Sequence, residues 1–186
     1  MNKKLLSVIL IIIVIAIAIY ATSYKKSEPL VVTQNTTPAS FDGKNTSFTI
    51  DGKEVTLVNG ISEVPIAPSS ASKIVTRYFG NVATGDLTGD GVSDTSFLIT
   101  QETGGSGVFF YAVVAIKTES GYKTTNAFLV GDRIAPQSSY IPLNSQELQI
   151  NYAKRKSGEP MTTQPSVGVT LLLKVTNAGV LEGLMK

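Results

Sequence analysis

VFFYAVVAI, residues 108–116, is apolar at nine consecutive positions. A strand with one wet face alternates apolar and polar residues, so this run reads as a central strand covered from both sides. A buried helix is the competing reading. The β-branched and aromatic content and the Gly-rich flank favour the strand. Just upstream, residues 95–100 (TSFLIT) form a second such run, joined to the first by QETGGSG, a loop with hairpin character. Ile74 to Phe79 reads as a further strand. Phe48 and Ile50 alternate with polar residues before Asp51-Gly52, and Val55 and Leu57 alternate after it. Two alternating runs around Asp-Gly predict a hairpin with a type I′ turn.

Downstream, strands are expected at Asn126 to Val130, Glu147 to Tyr152 and Val167 to Val175, with Pro136, Pro142, Pro160 and Pro165 punctuating the loops. Nothing after residue 45 shows a 3.6-residue period, and no repeat supports a multi-blade propeller. The expected fold is all-β: a single antiparallel sandwich or partly closed barrel over residues 46–186. That length is enough for a real core.

The remainder of the 186 residues is an appendage. MNKK precedes LLSVILIIIVIAIAIYA, residues 5–21, a run of 17 residues with one polar member, Ser7. At 1.5 Å per residue such a helix spans about 25 Å, close to a bilayer core. The run is long for a cleavable signal, although Ile19-Tyr20-Ala21 suits a signal peptidase. Residues 1–21 therefore read as one N-terminal transmembrane or signal helix, with the N-terminus inside. Residues 22–45, rich in Thr, Ser, Pro, Gln, Asn and Lys, read as a flexible stalk. The domain is then outside the cytoplasm, on a single-pass membrane protein, or secreted if the signal is cleaved.

The net charge of +2 reflects the membrane flanks. Setting aside Lys3, Lys4, Lys25 and Lys26 leaves twelve basic against fourteen acidic residues, an excess of two negative charges. No basic, aromatic-studded patch points to nucleic acid, which is not an expected partner. With no Cys and no His, disulfides, thiolate or imidazole zinc sites, Ser–His–Asp triads and Cys–His pairs are excluded. Carboxylates, Lys, Tyr, hydroxyls and hard oxygen-liganded metals remain.

One motif is sharp. Residues 85–94 read GDLTGDGVSD. Asp86, Thr88, Asp90 and Asp94 occupy positions 1, 3, 5 and 9 of a loop, with Gly91 at position 6 to permit a sharp turn. Alternate side chains of such a loop aim oxygens at one centre, and Val92 adds a backbone carbonyl. Ca²⁺ tolerates that loose oxygen geometry. Thr88 is a neutral ligand where Asp or Asn is usual, and position 12 is Phe97, so the bidentate Glu of an EF-hand is missing. The competing reading is a metal-free turn whose carboxylates accept backbone N–H bonds.

Flanked by strands, the loop resembles the calcium loop of FG-GAP and integrin-type β-propeller repeats. YFGN (78–81), GDLTGDG, FLITQETGGSG (97–107), GDRIAPQ (131–137) and NYAKRKSGEPM (151–161) extend the likeness over residues 46–176. In that order the segments resemble an uncharacterised family of exported or membrane-anchored proteins of small-genome, candidate-phylum bacteria. Similar segments elsewhere stand beside lysozyme-inhibitor-like or META-type domains. The resemblance implies an envelope location and no catalytic residue.

Weaker constellations complete the reading. Asp132, Arg133, Arg155 and Glu159 suggest a polar cluster, for which loop-anchoring ion pairs are the plainer account. Ser70-Ala71-Ser72-Lys73 matches Ser-x-x-Lys without a following Lys-Thr-Gly. Glu102, Glu119, Asp132, Glu147 and Glu159 are the carboxylates from which a glycosidase pair would be drawn. Tyr111, Tyr122, Tyr140 and Tyr152 are candidates for a sugar-binding face. The expectation is a membrane-anchored, non-catalytic extracytoplasmic β-domain with a Ca²⁺-binding loop that binds an unknown envelope protein or glycan. A carboxylate-based cell-wall glycan hydrolase and an inhibitor of a wall-degrading enzyme are the alternatives.

Overall fold

The computed structural model describes residues 40–184. The apolar run 5–21 and stalk residues 22–39 lie outside the described residues. No described residue is helical, and the all-β expectation holds.

The Asp51-Gly52 turn forms as its sequence predicts. Asp51 (φ 49°) and Gly52 (φ 75°) are both left-handed, as a type I′ turn requires. They join β1 (Ser47–Ile50) to β2 (Lys53–Thr56) in a two-stranded sheet. A larger sheet runs in the order β3 (Ile61–Pro65), β4 (Lys73–Gly85), β5 (Asp94–Glu102), β6 (Phe109–Thr118), β7 (Gly121–Thr124). β8 (Phe128–Asp132) shares the outer edge of β6 with β7, pairing its first half while β7 pairs its second. Two register shifts in β4, after Tyr78 and after Gly80, bend this sheet. The third sheet is ordered β12 (Leu181–Gly183), β11 (Val167–Val175), β10 (Glu147–Lys154), β9 (Ala135–Tyr140).

The middle of the large sheet is covered on both faces. Phe97 and Ile99 of β5 and Tyr111 and Val113 of β6 pack against Phe48, Ile50 and Leu57 of the hairpin region. Their neighbours Leu98, Ala112 and Val114 point the other way, onto Leu148, Ile150 and Leu173 of the third sheet. Continuous apolarity in 108–116 thus has the cause inferred for it: odd and even residues serve different cores. A single two-layer sandwich has only one such core; here three sheets make two.

Several strands extend or escape the expected ones. Pro136 lies within β9 and Pro65 within β3. Both strands are sheet edges, where a missing N–H costs no ladder bond. Pro136 is therefore a strand residue and not the loop marker expected of it. Packing also begins before residue 46, because the Phe41 ring sits 5.4 Å from that of Phe97 and 5.1 Å from that of Tyr122.

Candidate functional site

The loop of residues 86–93 joins β4 to β5 at one end of the domain. Asp86 acts as its hub. Oδ1 accepts the N–H groups of Gly89 (2.6 Å) and Thr88 (3.2 Å), and Oδ2 accepts that of Gly91 (2.8 Å). These backbone bonds, that of Gly91 foremost, hold its carboxyl below the ordinary aspartate value. Asp90 Oδ1 accepts the N–H of Val92 at 2.8 Å. Gly89 and Gly91 supply left-handed backbone at φ 83° and 82°. A Cβ on Gly89 would lie 2.2 Å from the Gln146 amide, which packs across the loop.

Asp94 has a different position. It is fully buried, and its oxygens accept the N–H groups of Leu87 (3.0 Å) and Lys117 (2.9 Å). Burial pushes its carboxyl up from the ordinary value; Asp90 and Asp86 push the same way, against the two amide bonds. The Thr88 hydroxyl is sealed from water without a hydrogen-bond partner. Thr88 borders a cleft of about 380 Å³ with Lys123, Gln146 and Thr176, whereas Asp86 borders a separate one of about 480 Å³ with Ser93 and Asn144.

Asp86, Thr88, Asp90, Val92 and Asp94 are thus neighbours along one loop, and Asp86 and Asp90 act electrostatically on Asp94. Among the described residues no three acidic side chains form a group able to hold a metal ion. The carboxylates of Asp86, Asp90 and Asp94 are each engaged by backbone amides.

The second cluster is held together by backbone. The Asp132 carboxylate accepts the Val108 N–H at 3.0 Å and pairs with the adjacent Arg133 guanidinium. Arg155 donates to three carbonyls, those of Thr163, Arg133 (2.9 Å) and Met161 (3.0 Å). Glu159 accepts the Lys156 N–H within its own turn. Asp132, Arg133 and Arg155 converge and fasten loops; Glu159 stands with its turn, bonded to neither arginine.

The candidate glycosidase carboxylates have different local partners. Glu102 lies 3.9 Å from Arg77, Asp132 pairs with Arg133, and Glu147 borders a cleft with Lys174 that holds no second carboxylate. The tyrosines also differ in their surroundings. Tyr111 and Tyr152 are buried in different cores, Tyr122 stacks under Lys117, and Tyr140 hydrogen-bonds Gln149 on β10. Lys73 pairs with Glu63 at 2.6 Å, while Ser70 Oγ accepts the Ser72 N–H of its own turn.

One site escaped sequence reasoning. Between the β1–β2 hairpin and strands β3, β4 and β5 lies a cleft of about 290 Å³. Its apolar walls are Ile50, Val55, Val64 and Ile74, and Thr76 and Gln101 line it as buried polar residues. Thr76 and Gln101 are partners across β4 and β5, and Gln101 Nε2 donates to Thr76 Oγ1 at 3.2 Å. Asp51, Lys53 and Glu54 border the same cleft, all exposed. The available signal was periodicity. Gln101 follows Ile99 by two and Thr76 precedes Tyr78 by two, so both polar residues fall on core-facing positions.

No protein-family model, no curated protein and no solved structure matches the chain.

Proposed function

We propose that the chain is a non-catalytic extracytoplasmic binding module, tethered to the membrane by residues 5–21 through the stalk and engaging an envelope partner at the hairpin cleft. The observation that carries this reading is the cleft itself. A buried hydrogen-bonded pair stands beside four aliphatic side chains and opens to solvent, an arrangement suited to a ligand with one polar and one apolar part. Glu102 and Asp132 each pair with an arginine and Glu159 accepts an amide of its own turn, which supports anchoring roles over the facing carboxyls about 5–9.5 Å apart that carboxylate hydrolysis needs. The loop of residues 86–93 is then a brace built from its own carboxylates and amides.

A calcium-bound loop is a second reading. It is favoured by the left-handed Gly91 donating its N–H to Asp86, a sixth-to-first closure that turns the chain around a central point.

The tethered reading is tested in cells carrying the full chain. The protein is expected to sediment with membranes and to be cut by external protease. A soluble mature protein beginning at Thr22 would overturn the anchor, and protection from external protease would overturn the outside placement.

A further inference from the structure

We propose that the hairpin cleft binds the acetamido group of an N-acetylated envelope glycan. The assignment rests on the binding-module reading above and names its ligand.

Thr76 and Gln101 are 2% and 9% exposed, yet polar. Their mutual bond uses one N–H of the glutamine and one lone pair of the threonine. The Thr76 hydroxyl hydrogen remains as a donor, and Gln101 Oε1 accepts no bond from the described residues. Neither side chain is among those with sealed, unpartnered polar atoms, which are Thr88 and Ser139. Gln101 Oε1, without a partner and not sealed, is therefore open to solvent, and Thr76 lines the same cleft beside it. One donor beside one acceptor is the complement of a secondary amide, which offers one C=O and one N–H. The aliphatic walls suit a methyl group on that amide. The exposed Asp51, Lys53 and Glu54 suit the hydroxyls of an attached sugar ring.

Other occupants fit less well. A plain acyl chain would cover the Thr76–Gln101 pair without satisfying it, which disfavours binding. An added peptide strand needs a run of free backbone groups, but β3 beside the cleft ends at Pro65, which has no N–H. The Ile61 N–H is already bonded to the Val58 carbonyl at 3.2 Å. At about 290 Å³ the cleft is at the small end of ligand sites, suited to one substituent and its ring.

The test uses the full chain in detergent micelles, titrated with N,N′-diacetylchitobiose and followed by the amide resonances of Gln101, Val64 and Ile74. Saturable shifts are expected. The deacetylated dimer should bind at least about tenfold more weakly, as should Thr76→Val and Gln101→Leu with the acetylated dimer, since each leaves a buried hydrogen bond unmade. The acetylated-against-deacetylated comparison on the unaltered protein decides the matter even where a variant fails to fold. Equal responses to both dimers, or no response to either, overturn the proposal. Saturation by N-acetylalanine methylamide without response to the sugar puts a peptide in the cleft and overturns the glycan. If the sugar fails while membrane sedimentation and protease access stand, only the ligand assignment falls.

Discussion

Asp94 Oδ1 accepts the backbone N–H of Lys117 at 2.9 Å, just beyond the last main-chain pair of β5 and β6, Thr95 with Ala115. A side chain thus continues the ladder where the backbone leaves it. The other oxygen of the same carboxylate holds Leu87 at the start of the acidic loop. Asp94→Ala leaves two amides without acceptors, the Leu87 amide buried and the Lys117 amide half-buried. At about 1–3 kcal/mol per unsatisfied group, the expected loss is about 2–6 kcal/mol in urea denaturation. A loss under 0.5 kcal/mol would mean that water reaches both amides.

Acid should act on Asp86 and Asp94 in opposite directions. Asp86 has a folded value below 3.8, so its contribution is complete above 3.8 and is lost as pH falls through the folded value. Asp94 has a folded value above 3.8. Its ionised form is disfavoured in the fold, and stability from this group rises as pH falls through that value toward 3.8. In urea titrations across this range, Asp86→Asn should flatten the acid loss and Asp94→Asn should steepen it. The same slope in all three proteins would refute both assignments.

Calcium separates the two readings of the loop. With the carboxylates engaged by amides, melting curves in calcium and in chelator should coincide. A bound ion would instead add about 2.7 kcal/mol at a hundredfold excess over Kd. A calcium-dependent rise in Tm that disappears in Asp90→Asn would establish the second reading and displace the first.

Gly89 and Gly91 share a backbone conformation but not an environment. At Gly91 an added Cβ meets nothing within 4 Å, so Gly91→Ala should cost only the left-handed strain, about 1–2 kcal/mol. At Gly89 the same strain is joined by a clash with Gln146, 2.2 Å from the ideal Cβ. Gly89→Ala should lower Tm more than Gly91→Ala and shift the Gln146 side-chain resonance. Equal effects would show that Gln146 moves aside freely.

The two cores should respond separately to neighbouring substitutions on β5. Leu98→Ala and Ile99→Ala are each expected to cost about 2–5 kcal/mol. Hydrogen exchange should rise in β10 and β11 for Leu98→Ala, and in β1 and β2 for Ile99→Ala. One common pattern for both variants would contradict the division into two cores.

Period and turn chemistry alone determined the strand character of residues 108–116, the Asp51-Gly52 turn and the all-β class, because side-chain alternation and left-handed φ are local properties. The short strands β3, β7, β9 and β12 left no comparable mark. They form by pairing with a longer neighbour, and at an edge even proline is tolerated. The sequence likewise placed five candidate oxygen donors along one loop at metal-like spacing. Spacing cannot say which donors face a common centre and which face amides, since Leu87 and Lys117 reach Asp94 only after the chain has folded. The Thr76–Gln101 cleft is further still from sequence. Its two polar residues are 25 positions apart, and they meet because β4 and β5 pair in one register beneath a hairpin.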